Sequence, residues 1–308
     1  MKFDICVVGG CSEDCFFYQN EDGSYNEVAN LVYSGGKGNN QAVAAARAGG
    51  KVTIITRLGN DTIGHDIIQN LIDKGVDIAN IEVIDGLNND YANIYVNSND
   101  KDNDIQRFGG AIDSFTPDMV ESHKEAILNS TIVVCQSKCD IKVTEALIDF
   151  CEKNNKPIIL TPCRPKKFID RLDLIDRVSI ITCNEEECRT IFGTDNIEEC
   201  VTRYPNKLIV TLGERGVMYH DGTEVIRIAA LDVPVHDTTG AGDTLNGNLA
   251  YLLSQGMDLY SAIDRAQYAS AMKIQVRSAQ AGMPTKEQLT EFIAASPARK
   301  EVEKNKAY

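Results

Sequence analysis

The chain lacks the long hydrophobic runs of a membrane protein. In 308 residues, no apolar run approaches the roughly 18 residues that a transmembrane helix needs. The opening residues, MKFDICVVGG, also lack the basic start, extended apolar region and cleavage site of a signal peptide. An excess of positive charge is missing as well: 31 Lys and Arg face 45 Asp and Glu, for a formal net charge of −14. Such a surface repels phosphate backbones and anionic lipids, so we expect a cytoplasmic protein with no nucleic-acid or membrane partner.

Familiar nucleotide and metal motifs are absent too. The chain contains no Gly-x-x-x-x-Gly-Lys-Ser/Thr P-loop, and Gly9 and Gly10 after the first apolar run do not belong to a Gly-x-Gly-x-x-Gly fingerprint. The missing fingerprint weighs against a dinucleotide-dependent oxidoreductase. The ten cysteines form no Cys-x-x-Cys pair, and the four histidines are scattered. We interpret the cysteines as reduced structural thiols and expect no zinc site.

Short runs rich in Val and Ile recur along the chain. They are DICVVGG (4–10), KVTIITRLG (51–59), TIVVCQ (131–136), KPIILTP (156–162), VSIITCN (178–184) and KLIVTLG (207–213). Their continuous hydrophobicity is typical of strands buried on both faces of a parallel sheet. Helical patterns lie between them, so we predict a doubly wound, mostly parallel α/β sheet flanked by helices. Because no Pro/Gly-rich linker interrupts the pattern, we expect residues 1–308 to form a single domain.

Two segments do not fit this alternation. Residues 14–34 and 91–110 carry aromatic residues and alternating hydrophobicity around polar turns. This pattern predicts strands outside the main sheet, packed together as a small β-sheet lid. Plain surface excursions are the alternative.

The stretch HDTTGAGDTLNG, residues 236–247, precedes an apolar helical pattern. The amides of Gly240, Ala241 and Gly242 would then lie at a helix N-terminus, where unpaired N–H groups and the helix dipole favour an anion. A passive anion site would avoid a carboxylate, yet Asp243 lies in the first turn. The combination indicates phosphoryl transfer with a general base beside it. Asp243 as a simple helix cap is the alternative.

A second glycine-rich stretch, SGGKGNNQAVAAARAGG, covers residues 34–50 and also precedes a helical pattern. Lys37 and Asn40, with the exposed backbone of the glycines around them, could bind hydroxyl groups or an anion. A solvated surface lysine is the alternative for Lys37.

The two glycine-rich motifs, in this order, resemble the signature motifs of the ribokinase family of sugar kinases, also called the PfkB family. The similarity continues through VVGGCSEDC near the start, TCNEEE at 182–187 and VTLGERG at 210–216, and so spans nearly the whole chain. The resemblance implies a ribokinase-like fold and an ATP-dependent kinase that phosphorylates a primary hydroxyl, with D-ribose as the first candidate acceptor. It also implies a homodimer formed through the lid.

The resemblance further implies a role for each matching residue. Asp243 would be the base, and Gly240, Ala241 and Gly242 would form the anion hole. The other matches are sugar contacts at Asp14, Gly36, Lys37 and Asn40, nucleotide contacts at Asn184, Thr211, Gly213 and Gly216, water-mediated Mg²⁺ ligands at Asn184 and Glu187, and ligands of an activating K⁺ at Asp237 and Thr239.

Departures from the family pattern concern the acceptor and the monovalent cation. Lys138 stands where the family commonly has a sugar-binding glutamate, and Ser12 replaces an asparagine. Together the two changes weaken the assignment to D-ribose. A lysine donates hydrogen bonds but cannot accept them, and Lys138 would suit a sugar acid. Asn39 replaces a small alanine, and Gly282 stands where a serine often contributes to the cation site.

Other functions remain open alongside the sugar kinase. A nucleoside or deoxyribose kinase on the same scaffold is one, because Phe16, Phe17 and Tyr18 could receive a base. A binding or regulatory protein without catalysis is another, although a lapsed enzyme has no need to retain Asp243 with Asn184 and Glu187.

Overall fold

The computed structural model describes residues 2–27, 29, 31–96, 103–295 and 298–300. Positions 28 and 30 of the first predicted lid segment and 97–102 of the second lie outside this range, as do residues 301–308. The strands, in chain order, are β1 Phe3–Val8, β2 Ser12–Tyr18, β3 Leu31–Gly35, β4 Val52–Gly59, β5 Ile81–Ile84, β6 Asp90–Val96, β7 Asn103–Phe108, β8 Ser130–Gln136, β9 Ile158–Thr161, β10 Ile180–Asn184, β11 Leu208–Thr211, β12 Val217–His220 and β13 Val225–Ile228.

The helices alternate with the strands of the main sheet. They are α1 Lys37–Arg47, α2 Thr62–Asp73, α3 Asp118–Ser122, α4 Lys124–Leu128, α5 Ile141–Lys153, α6 Leu172–Arg177, α7 Glu185–Phe192, α8 Ile197–Arg203, α9 Ala241–Ser254, α10 Leu259–Lys273 and α11 Lys286–Ala294. Short 3-10 helices cover Ala111–Ser114, Pro165–Phe168 and Gly213–Arg215.

The main sheet has nine strands in the order β13-β12-β11-β10-β9-β8-β1-β4-β5. Pairing is parallel from β11 to β5, and β12 and β13 add an antiparallel edge. Successive side chains of a strand point to opposite faces. Accordingly, Ile5 and Val7 pack under α1, α9 and α10, while Cys6 and Val8 pack with the apolar side chains of α3 to α5. The predicted doubly wound sheet is confirmed.

The smaller sheet has the order β3-β2-β6-β7. Strands β2 and β6 run parallel, with Ser12 opposite Asp90, and β3 and β7 pair antiparallel on the outside. Its own apolar cluster, formed by Phe16, Ala92 and Ile94, is small. The sheet predicted outside the main one is therefore confirmed, and it begins directly after the carboxyl end of β1. Among the described helices, none has the length and apolarity to cross a bilayer.

Candidate active site

A cleft of three adjoining cavities follows the carboxyl ends of the parallel strands. We call them the small-sheet cavity, of about 480 Å³, the central cavity, of about 440 Å³, and the apolar cavity, of about 470 Å³. Lys37, Gly240 and Asp243 line both the small-sheet and the central cavity. Thr211, Gly213, Thr238 and Gly242 line both the central and the apolar cavity. Asp243 thus lies where the first two cavities meet.

The glycine-rich stretch opens α9 at this junction. Gly240 caps the helix with φ of 79°, a conformation that favours glycine, and a Cβ there would lie 2.5 Å from the Ala279 carbonyl oxygen. The Ala241 N–H donates to the Thr238 carbonyl over 3.1 Å, so it is already engaged. Within the described chain, the N–H groups of Gly242 and Asp243 have no protein acceptor. A Cβ at Gly242 would meet nothing within 4 Å, because this turn of the helix faces the open cleft.

Asp243 is only 8% exposed and is held at both carboxylate oxygens. The Asn40 Nδ2 donates to Oδ2 over 3.1 Å, and the Gln41 Nε2 donates to Oδ1 over 2.9 Å. Each carboxylate oxygen offers two lone pairs, so Asp243 retains capacity to accept a hydrogen bond from a hydroxyl in the cleft. Consecutive residues of α1 therefore orient a carboxylate on α9.

These amides belong to a longer buried chain. The Gln136 Nε2 donates to Gln41 Oε1 over 2.6 Å, and the Gln280 Nε2 donates to Asn40 Oδ1 over 3.0 Å. Gly9 makes room for Gln136, because a Cβ there would fall 1.6 Å from Gln136 Oε1. Neutral amides with fixed donors thus lock the orientation of Asp243 from both sides.

Lys37 links the central cavity to α7. Its Nζ lies 3.6 Å from Glu187 Oε1. Burial alone would lower the pKa of Lys37, but the nearby Cys163, Asp243 and Glu187 raise it above its ordinary value, so the side chain is a cation. Asn184 and Glu187 form a reciprocal capping box at the start of α7, with hydrogen bonds of 2.8 and 3.0 Å. Their expected placement on a common side is therefore seen, and both line the central cavity.

The small-sheet cavity carries charges of both signs. Asp14, on β2, accepts from the Ser12 hydroxyl at 3.5 Å. Burial raises the pKa of Asp14 to about 6, with Lys138 opposing the shift. Arg107 and Arg164 also line this cavity, together with Lys138. The cavity can therefore bind a polar molecule through both hydrogen-bond acceptors and cations.

The apolar cavity lies beyond the central one. Thr211 ends β11, and its hydroxyl donates to the Cys183 carbonyl over 3.4 Å. Gly213 begins the following 3-10 helix and Gly216 comes directly after it; both line the apolar cavity, whose other walls include Leu245 and Ile274. An apolar slot beside a polar one suits a ligand with a flat ring and a charged extension.

Asp237 and Thr239 lie on the loop that precedes α9. Asp237 Oδ1 accepts from the Thr239 N–H and Oδ2 from the Ser278 N–H, each over 2.9 Å. The Nζ of Lys273, the last residue of α10, donates to the Asp237 carbonyl over 2.8 Å. The loop is thus fixed by its own carboxylate and by a lysine.

All the predicted sugar-binding residues line one cavity together with Asp243. They are Asp14, Gly36, Lys37, Asn40 and Lys138. Their roles stay predictions. Phe16, Phe17 and Tyr18 are not part of this lining; they stack among the aromatic rings of the small sheet, with Tyr33 and Tyr95 as partners. The aromatic lining comes instead from Tyr91 and Phe108.

Sequence reasoning missed several residues of the cleft. Gln41 stood inside a quoted motif, and its position next to Asn40 was an available signal. Arg107 and Arg164 line the small-sheet cavity, Gln136 reaches Gln41 behind it, and only the folded chain brings these residues together. The Asn246 Nδ2, one turn after Asp243, donates to the Thr161 hydroxyl over 3.1 Å, and this link also depends on tertiary structure.

Residues 2–286 match the family described as pfkB family carbohydrate kinase. A ribokinase of Lactococcus lactis is 36% identical over 285 residues, which cover 91% of this chain and 93% of that protein. A ribokinase of Bacillus subtilis is 33% identical over 297 residues, which cover 94% and 99%. The solved structure of an Arabidopsis thaliana ribokinase complexed with ribose and ATP superposes with a TM-score of 0.83 at 24% identity, over 95% of this chain and 99% of that one.

Proposed function

Because the chain belongs to the pfkB family of carbohydrate kinases, we propose that it transfers the γ-phosphoryl group of ATP to a primary hydroxyl of D-ribose, forming ribose 5-phosphate. The observation that carries this proposal is the position of Asp243 at the junction of two cavities, beside the free amides of α9. The acceptor occupies the small-sheet cavity, the triphosphate the central cavity and the adenosine the apolar cavity.

Asp243 accepts the proton of the acceptor hydroxyl as its oxygen attacks the γ-phosphorus. The new O–P bond forms while the bond from the γ-phosphorus to the bridging oxygen breaks, and ADP leaves with the electron pair. Asn40 and Gln41 hold the carboxylate in place for this step over 3.1 and 2.9 Å. A positioned general base typically contributes about 10²–10⁴ in rate.

Charge on the transferring phosphoryl group is stabilised at the N-terminus of α9. The N–H groups of Gly242 and Asp243 are available there, whereas that of Ala241 is spent on Thr238. Within the expected set of Gly240, Ala241 and Gly242, the Ala241 amide is therefore the one already engaged, and the Asp243 amide adds a further donor. Lys37 adds a cation that borders both cavities, and the helix dipole has the same sign.

The residues of the central cavity fit a nucleotide-bound magnesium ion. Mg²⁺ keeps several waters and binds through one or two carboxylates plus substrate phosphates. The described residues contain no group of three or more His, Cys, Asp or Glu side chains that would hold a metal alone. Asn184 and Glu187 line the cavity with side-chain oxygens that can accept hydrogen bonds from the waters of the ion. Once bound, the ion would neutralise phosphate charge, with Asn184 and Glu187 holding its waters.

Asp14 and Asn40 would orient the acceptor, with the backbone at Gly36 beside them. Lys138, Arg107 and Arg164 in the same cavity favour a second candidate, a sugar acid whose carboxylate they would pair. With a sugar acid these cations would contact the substrate carboxylate, whereas with D-ribose they would contact only the water around the sugar. A nucleoside finds less support, because the aromatic residues expected to receive a base pack within the small sheet.

The small sheet would act as the lid that excludes water from phosphoryl transfer, and its outer side would carry a homodimer contact. The support is the exposure of apolar side chains on β3: Leu31 is 42% and Val32 53% exposed. Light scattering should give the mass of two chains for the intact protein, and Val32→Asp should shift it toward one. A monomeric intact protein would remove the dimer from the proposal.

The test of the function is ADP release from Mg-ATP with D-ribose, 2-deoxyribose, 2-keto-3-deoxygluconate and adenosine as acceptors. Ribose should give the highest kcat/KM, whereas preference for the sugar acid would select the second candidate. Asp243→Asn should bind ATP normally but lose at least about 10² in kcat. Near-normal turnover of that variant would show that Asp243 is not the base. If the intact protein released no ADP with any of these acceptors, the proposal that it phosphorylates one of them would be overturned.

A further inference from the structure

Lys273 is a fully buried lysine next to the loop that leads into α9. It is 0% exposed and ends α10, while its Nζ donates to the Asp237 carbonyl over 2.8 Å. The Asp237 Oδ2 lies 4.0 Å from the same Nζ. Burial of an ammonium group is unfavourable unless the group is paired, so a lysine in this position calls for an explanation beyond packing.

The residues around Asp237 do not fit the potassium ion that the resemblance implied. Both oxygens of the Asp237 carboxylate accept backbone N–H groups, from Thr239 and Ser278. The Asp237 carbonyl accepts from Lys273. Gly282 offers no hydroxyl in place of the usual serine, and a Cβ there would lie 2.7 Å from the Lys273 carbonyl oxygen. Both carboxylate oxygens and the carbonyl oxygen of Asp237 thus already have a donor, and the fixed positive charge of Lys273 lies 4.0 Å from Oδ2, where it would repel a monovalent cation.

We propose that the ammonium group of Lys273 is a built-in replacement for the monovalent cation, so that this chain works without potassium. The proposal rests on the proposed kinase function for its effect on turnover. Lys273 is a positioning residue: it holds the Asp237 carbonyl, and the loop from Asp237 then runs through Thr239 and Gly240 to the free amides of α9. Its charge also faces the negative end of the α10 dipole, which favours a cation there.

The neighbouring contacts connect this lysine to the anion hole. Gly240 packs against the Ala279 carbonyl, so the segment after α10 forms the floor of the loop. The Ser270 hydroxyl, one turn before Lys273, donates to the Ala241 carbonyl over 2.8 Å. A displaced Lys273 would therefore move the first turn of α9, while the opposite wall of the apolar cavity, at Thr211, Gly213 and Gly216, comes from β11 and the 3-10 helix after it.

The first test uses the intact protein in potassium chloride and in tetramethylammonium chloride of equal ionic strength. We expect the same kcat, and the same midpoint of thermal unfolding, in the two salts. Stimulation of turnover by potassium of about tenfold or more, or a potassium-specific rise in the midpoint, would overturn the proposal. If the protein turns over no acceptor, the proposed function fails, but the unfolding midpoints still test the built-in cation.

The second test removes the charge. Lys273→Ala should lose kcat and unfold at a lower temperature in tetramethylammonium, and potassium should restore both, because the vacated space and the freed Asp237 carbonyl can then receive the ion. Lys273→Met, which fills the space without a charge, should lose kcat with little change in the KM for ATP, and potassium should not restore it. Lys286→Ala, an exposed lysine at the start of α11, is the control and should respond to neither salt.

Two results would contradict the assignment. A Lys273→Met variant with full turnover would show that only the volume of the side chain matters. If Lys273→Ala loses turnover and thermal stability and potassium restores neither, Lys273 contributes to packing alone.

Discussion

The side-chain amide of Gln41 lies 2.9 Å from Asp243 Oδ1, although the two residues are 202 positions apart in the chain. Gln41 in turn accepts from Gln136, so its orientation is fixed: the oxygen faces Gln136 and the nitrogen faces the carboxylate. Hydrogen bonds to charged groups are worth about 1.5–3 kcal/mol, which is enough to set the direction in which a carboxylate points.

We predict that Gln41→Leu lowers kcat by about 10- to 100-fold, because Asp243 loses the donor that orients it. The KM for ATP should change little, since Gln41 does not line the apolar cavity. Steady-state kinetics, with thermal unfolding to check that the variant is folded, measure both effects.

The matched control is Asn70→Leu. Asn70 donates to Gln280 Oε1 over 3.0 Å at the far end of the same amide chain. Its loss should leave kcat close to that of the intact protein. Equal losses in the two variants would mean that the chain acts through general stability and not through the orientation of Asp243.

The acceptor should bind more weakly as the pH falls below about 6. Burial raises the pKa of Asp14 to about 6, so the carboxylate that would accept hydrogen bonds from the acceptor becomes neutral there. The KM for the acceptor should rise below this pH while the KM for ATP stays flat. For folding the sign is opposite: a carboxyl group with a raised pKa contributes stability that is present below its unfolded pKa and lost as the pH rises through about 6.

Asp14→Asn should remove the pH dependence of the acceptor KM and raise its value at neutral pH. Asp90→Asn is the comparison, because burial also raises the pKa of Asp90 in the same cavity, where its Oδ2 accepts from the Ile112 N–H. If the acceptor KM still rises at low pH in Asp14→Asn but no longer does so in Asp90→Asn, then Asp90 is the carboxylate that binds the acceptor.

Much of this architecture could be predicted from the sequence because the determining signals are local. The Val- and Ile-rich runs specify strands buried on both faces, and the glycine-rich stretches specify helix N-termini, so the parallel character of the sheet and the start of α9 follow from short-range patterns. The capping box of Asn184 and Glu187 is equally local, since the two residues lie three positions apart.

The contacts that orient Asp243 could not be predicted in this way. Gln41, Gln136 and Gln280 come from three elements far apart in the chain, and a buried glutamine has no spacing signature. Lys273 has none either: in the sequence it ends an ordinary alanine-rich helix, and only the folded chain shows its ammonium group beside Asp237.

Gly242→Ala should make the protein slightly more stable and much less active. A Cβ at this position meets nothing within 4 Å, and alanine stabilises a helix by about 0.4–1 kcal/mol relative to glycine at a compatible site. The same methyl group would project into the space between the central and apolar cavities, where the phosphates would lie. We expect a drop in kcat/KM for ATP of about 10²-fold, together with an unchanged or higher unfolding midpoint.

Ser261→Ala is the control, in the first turn of α10 and outside the lining of the three cavities. It should leave kcat/KM for ATP unaltered. Full activity of Gly242→Ala would mean that the phosphates do not approach this turn of α9.

The charge of Glu187 can be separated from its structural role. Glu187 Oε2 accepts from the Asn184 N–H, and a glutamine can make the same capping contact. Glu187→Gln should therefore keep α7 intact and the unfolding midpoint nearly unchanged. It removes the carboxylate that would hold the waters of magnesium and that pairs with Lys37 at 3.6 Å, so the Mg²⁺ concentration for half-maximal activity should rise by about tenfold.

Glu199→Gln provides the matched control, because Glu199 occupies the same position in α8, where its N–H donates to Asn196 Oδ1 over 3.2 Å, and it does not line the cleft. Its Mg²⁺ requirement should match that of the intact protein. If both variants need the same Mg²⁺ concentration, Glu187 serves only as a helix cap. If Glu187→Gln alone needs more Mg²⁺ and its unfolding midpoint is unchanged, its carboxylate contributes to the metal-nucleotide site.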